Sequence, residues 1–140
     1  MTADDILARV REQLAAHSTV TLATSGDGRP WAATVFYASD ADCRLYFVTD
    51  ERTRHGRDML RNPHVTAAIN ADVDTWDAVL GLQVEGRVTR LEGAARERAL
   101  GLYLGRFSDV RRLFEAPAGP GEEVIAARLR GTAFWQLAPS

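Results

Sequence analysis

The sequence predicts an α+β fold, a small β-barrel of about six mainly antiparallel strands with flanking helices. Three observations predict it. Short β-branched runs alternate with turn clusters in hairpin order between Thr19 and Val48. The longest alternating run, residues 80–91, carries Gly86 near its middle. Amphipathic segments stand at the start, in the middle and about two-thirds of the way along the chain, where they can cover the outside of a sheet.

Taken in order, Ile6, Leu7, Val10, Leu14 and Ala15 recur at spacings of three and four, so residues 3–16 read as a helix with Thr2 as its N-cap. Val20 and Leu22 alternate with threonines in a strand over 19–24, and Ser25-Gly26-Asp27-Gly28-Arg29-Pro30 supplies the turn. The return strand spans 31–38, Ser39-Asp40-Ala41-Asp42 is the next turn, and Leu45-Tyr46-Phe47-Val48 completes a three-stranded meander. Residues 50–60 form a short helix with a polar, basic entry, closed by Asn62-Pro63. A strand over 65–70 follows, then a loop over 71–78 with Asp72, Asp74 and Asp77 around Trp76. In the long strand over 80–91, Gly86 invites a bulge or bend. A helix over 94–106 and a shorter helical piece near 110–114 lead to Ala116-Pro117-Ala118-Gly119-Pro120-Gly121, a flexible loop by composition. Residues 124–137 read as a strand pair or one long bent strand.

Composition narrows the function classes. A chain of 140 residues is one domain by default and can bury about two-thirds of the surface its unfolded form exposes. Seventeen basic against nineteen acidic side chains leave a formal charge of −2, without the basic footprint that a nucleic-acid backbone demands. Cys43 is the single cysteine, so no internal disulfide is possible; it reads as a packing residue. The N-terminal segment lacks the basic and apolar regions of a signal peptide, and no apolar run approaches the roughly 20 residues that span a bilayer. A cytoplasmic setting fits. His17, His64, Asp72, Asp74 and Asp77 form no recognisable metal-ligand spacing. Both the Gly-x-Gly-x-x-Gly turn and the Gly-x-x-x-x-Gly-Lys-Ser/Thr loop are missing.

The chemistry concentrates between Thr49 and Arg61. A helix N-terminus carries unpaired N–H groups and about half a positive charge, and it therefore attracts an anion. Thr53 offers a hydroxyl there, Arg54 two parallel N–H donors for a phosphate, Arg57 a second guanidinium on the same helix face, and His55 a further donor when protonated. The competing reading of these residues is a solvated basic helix face whose arginines pair with Asp50, Glu51 and Asp58.

In order along the chain stand Gly28-Arg29-Pro30, Val35-Phe36-Tyr37, a strand ending in Thr49, Thr53-Arg54-His55, Leu60-Arg61-Asn62-Pro63-His64-Val65 and Gln83-Val84-Glu85-Gly86-Arg87-Val88. This succession resembles the FMN-binding split-barrel superfamily of pyridoxamine 5'-phosphate oxidase-like proteins. Glu92-Gly93, Tyr103 and Arg106-Phe107 extend the likeness to about three-quarters of the chain and point to an uncharacterised bacterial branch. The resemblance implies a homodimer holding FMN at the subunit seam, with the flavin ring along Thr34, Val35 and Phe36, Thr49 on its pyrimidine side, and its phosphate at Thr53, Arg54 and His55. It implies Gln83 from either subunit, and Trp135 either as an interface anchor or as barrel core. His55 stands where many members carry lysine. The implied activity is a flavin-dependent oxidoreductase taking reducing equivalents from a nicotinamide donor to a small molecule, with no catalytic acid or base assigned. F420 or haem in the same groove, or a non-catalytic dimeric binding module, are the alternatives.

Overall fold

The structure, a computed structural model, describes residues 1–115 and 119–140. The first helix, α1 (Ala3–Ala16), opens on a capping box. The Thr2 side chain accepts the Asp5 N–H, and the Asp5 carboxylate accepts the N–H of Thr2. A hairpin follows, β1 (Thr19–Thr24) and β2 (Trp31–Phe36), in continuous register from Thr19 opposite Phe36 to Thr24 opposite Trp31.

The expected meander is corrected at the next strand. Tyr37 leaves the ladder, donating its N–H to Ser18 O and its hydroxyl to Leu14 O, and the chain re-enters the sheet as the two-residue β3 (Ala38–Ser39). The single strand expected over 31–38 is therefore two. β4 (Leu45–Thr49) pairs with β3 and with the last strand, β7 (Ala133–Pro139), and not with β2. The full order is β2-β1-β5-β6-β7-β4-β3, every pair antiparallel, where β5 is His64–Asn70 and β6 is Gly81–Leu91. β2 and β3 are opposite edges of this seven-stranded sheet, yet only Tyr37 separates them in the chain. The sheet must curl until those edges adjoin, which makes it a split barrel.

Its interior is filled by inward-facing side chains such as Leu22, Tyr37, Phe47, Ile69, Trp135 and Leu137. A second apolar layer, with Tyr46, Leu91, Ala99, Tyr103 and Phe134, joins β4 and β7 to helix α3 (Gly93–Arg106). Gly86 makes no bulge, because the register on both sides of β6 is unbroken. A Cβ at that position would lie 2.2 Å from Ala138 O, so the glycine admits the close approach of β7.

Helix α2 (Arg54–Arg61) follows β4, and a single 3-10 turn, Trp76–Ala78, interrupts the loop between β5 and β6. After α3 come α4 (Ser108–Glu115) and α5 (Pro120–Gly131); the strand reading of 124–137 is corrected over 124–131 by α5 and holds over 133–137, in β7. Pro120 stands at the start of that helix, Glu122 and Glu123 lie in its first turn, and Arg128 and Arg130 in its last, an order that suits the helix dipole. These signals outweigh the strand preference of Val124 and Ile125. Of the loop expected over 116–121, Ala116, Pro117 and Ala118 lie outside the described residues, while Pro120 and Gly121 begin α5. Among the described residues no helix is long and apolar enough to cross a membrane.

Candidate functional site

Helix α2 begins where β4 ends, and Thr53 builds the junction. Its hydroxyl donates to Asp50 O at 2.7 Å and accepts the Gly56 N–H at 3.0 Å, so it caps the helix and has no proton left to give. Gly56 is required there, since a Cβ would meet Asp50 O at 2.5 Å. The N–H groups of Arg54 and His55, at the first two positions of α2, have no protein partner among the described residues. Both remain available to an anion.

Arg54 makes no ion pair among the described residues. Its guanidinium lies 4.4 Å from the ring centroid of Trp31, at the start of β2, in a cation–π stack that leaves the guanidinium edge free. Trp31 is 43% exposed despite its size. The acidic groups that the solvated-face reading would pair with these arginines are engaged elsewhere. Asp50 holds Arg52, Glu51 holds Arg90, and the buried Asp58 accepts the Thr24 hydroxyl at 2.8 Å. Asn62 donates its side-chain N–H to Ser25 O, so two bonds fasten α2 to the turn between β1 and β2 and hold Arg54 against Trp31.

His55 Nε2 lies 2.5 Å from Thr49 Oγ1 and 3.4 Å from Thr53 Oγ1. Because the Thr53 proton goes to Asp50 O, Thr53 can only accept from the imidazole. Burial pushes His55 below the ordinary histidine value of 6.5, and Asp58 opposes this more weakly. The ring is accordingly neutral at pH 7.

The remaining expected site residues divide by strand face. Thr34 on β2 and Gln83 on β6 share the outward face of the sheet, in one row through Thr21 and Ala68. That row crosses an open groove of about 970 Å³ whose far wall is formed by Val73, Val79 and Leu80. Phe36 also faces outward, edge-on to Phe107 at 5.5 Å, whereas Val35 packs against the barrel interior. Trp135 is 2% exposed inside the barrel, its indole N–H without a protein partner among the described residues. It is an interior residue of the single chain and not a surface anchor. Thr49, Thr53, Arg54 and His55 are thus gathered at one junction, Thr34 and Gln83 at the groove, and Trp135 at neither. Sequence reasoning missed Trp31. The position of an aromatic residue just after the Gly-x-Pro turn was the available signal.

Comparisons with known proteins agree with this architecture. The chain is 34% identical over 114 residues to the UPF0306 protein YhbP of Salmonella paratyphi B, an alignment covering 81% of this chain and 77% of that protein. HutZ, the haem storage protein of Vibrio cholerae, superposes with a TM-score of 0.73 at 16% identity, over 95% of this chain and 89% of that one. A FAD-binding protein of Mesorhizobium loti superposes with a TM-score of 0.67 at 18% identity, over 100% and 91%. At these identities the two structures speak for the fold alone. The family model for pyridoxamine 5'-phosphate oxidase matches residues 6–136, nearly the whole chain. With the curled seven-stranded sheet and its flanking helices in place, the chain belongs to the pyridoxamine 5'-phosphate oxidase family.

Proposed function

We propose that this chain is a homodimeric FMN-binding protein that transfers reducing equivalents from a nicotinamide donor to a small acceptor. The observation that carries the reading is the free anion site at the start of α2, where the unpaired Arg54 guanidinium, braced on Trp31, stands beside the unpartnered N–H groups of Arg54 and His55. This donor set fits a phosphate monoester. Arg54 and the first turn of α2 would hold the phosphate, while Thr34 and Gln83 offer polar groups along the open groove. The flavin supplies hydride and electron transfer when bound, and the protein binds it, orients it and limits access to it.

Titration with FMN and with riboflavin, followed by flavin fluorescence, tests the phosphate requirement directly. FMN should bind and riboflavin should bind far more weakly. The Arg54→Ala chain should lose about 1.5–3 kcal/mol of FMN affinity, the range for a hydrogen bond to a charged group. A chain that ignores FMN, or binds riboflavin equally well, defeats the reading. Haem is the competing occupant, motivated by the shared fold of HutZ. A Soret band on haem addition, with no flavin bound, would favour it.

A further inference from the structure

The loop between β5 and β6 is the least explained part of the surface. Trp76 at its tip is 97% exposed, with Val79 at 68% and Leu80 at 56% beside it. No ring or cation contact holds the indole among the described residues. Asp72, Asp74 and Asp77 surround it, all exposed and none in an ion pair among the described residues. An acidic tip that leaves its apolar side chains this exposed is an unpartnered patch among the described residues.

The opposite end of the same sheet face has the complementary charge. Arg87 on β6 faces outward opposite His64, whose Nε2 it meets at 3.2 Å, and Arg61 and Arg29 are exposed nearby, three arginines against the two exposed carboxylates of Asp27 and Glu85. Trp31 and Arg54 stand at this end too, since Trp31 pairs with Thr24 and Ala23 pairs with Thr66. His64 and Asn70 mark the two ends of β5, about 20 Å apart at strand rise. Between them the outward face is formed by the small side chains of Thr21, Ala23, Thr66 and Ala68 with Gln83 and Glu85 beside them, and it is open to solvent.

We propose that Trp76 acts in trans: the acidic 71–80 loop of one copy docks on the basic His64–Arg87 end of a second copy, and each flavin groove is completed by its partner's indole. The proposal rests on the dimeric flavin-site reading above and names the residues that make the seam. Only one of the two simple face-to-face arrangements satisfies the charges. A twofold axis in the interface, perpendicular to the strands, sets loop against basic end twice over, whereas an axis along the strands sets aspartates against aspartates.

Sedimentation of the full chain tests this. Trp76 is too exposed to support the fold, so Trp76→Ala should stay folded while its dimer dissociation constant rises at least about 30-fold, as for an aromatic anchor. A chain with Asp72→Lys, Asp74→Lys and Asp77→Lys should be monomeric, as should one with Arg61→Glu and Arg87→Glu. Mixing the two should restore a dimer, because each reversed loop then meets a reversed basic end. A Trp76→Ala chain that dimerises with wild-type affinity, or a mixture that stays monomeric, overturns the proposal. The outcomes separate cleanly from those of the parent reading. A monomeric wild-type chain removes the dimer altogether, and a wild-type dimer that never takes FMN removes the flavin while leaving the contact in trans intact.

Discussion

Replacing Arg106 with methionine should destabilise the fold by about 3 kcal/mol, although nothing around it in the sequence marks it as structural. The guanidinium leaves the end of α3 and donates to four carbonyls, those of Leu14, Ala15, His17 and Tyr37, while lying 4.8 Å from the Tyr37 ring centroid. Helix α1 has no basic residue in its last turn, so Arg106 is the cation that satisfies its final carbonyls. A cation at a helix C-terminus is worth about 0.3–1 kcal/mol and a partly desolvated cation–π contact about 0.5–2. Hydrogen bonds from one charged group to shared acceptors add about 1.5–3, and their overlap keeps the total near 3. Methionine retains the apolar stem and isolates the polar loss. For a chain of this length the midpoint of thermal unfolding should fall by roughly 10 °C, and Arg106→Lys should recover part of it. A methionine variant within about 0.5 kcal/mol of wild type in urea denaturation would show that these carbonyls are satisfied as well by water.

Four further outcomes follow from the site and from the barrel that carries it. Because burial lowers the His55 pKa, the imidazole is charged only below 6.5, so FMN affinity should weaken as pH rises through that region, and His55→Lys should flatten the profile in a fluorescence titration. The same depression means that the folded state binds the proton less well than the unfolded one, so His55 should contribute stability above pH 6.5 that is lost on acidification, visible as a pH-dependent unfolding midpoint missing from His55→Gln. Asp58→Ala should cost about 1.5–3 kcal/mol, since it strands the buried Thr24 hydroxyl and leaves Asn62 as the remaining bond between α2 and the turn; FMN affinity should fall with it, and a variant unchanged in affinity would show that the clamp does not position Arg54. Gly86→Ala should destabilise by about 1–3 kcal/mol in denaturant titration, because its methyl would meet Ala138 O and push β7 from β6.

What the sequence made legible is what neighbouring residues decide. The hairpin of β1 and β2 follows from alternation and a glycine-rich turn, and α1 from its apolar stripe and its threonine cap. The proposed anion site was visible as Thr53-Arg54-His55 because a helix N-terminus is a local event. Contacts between distant segments were hidden. The division of β2 from β3 depends on Tyr37 reaching α1, and the arginine at the end of α3 gives no hint that it caps a helix near the start of the chain. Helix α5 was obscured because Pro120 and Gly121 read as loop while Val124 and Ile125 read as strand, and charge order prevailed over both.

The same distinction reassigns roles within the candidate site. Sequence alone offers Thr53, Arg54 and Arg57 as donors, with His55 a further donor when protonated. Local geometry narrows these at neutral pH: the Thr53 proton is spent on Asp50 O, and the desolvated His55 is neutral with its Nε2 engaged with Thr49. What the first turn of α2 offers an anion is the Arg54 guanidinium, aimed by Trp31 of β2, and two backbone N–H groups, with the exposed Arg57, which has no ion pair among the described residues, further along the helix. In the proposed reading, specificity for a phosphate therefore depends on how the turn after β1 is clamped to α2, and the residues doing so, Thr24, Asp58 and Asn62, do not line the groove.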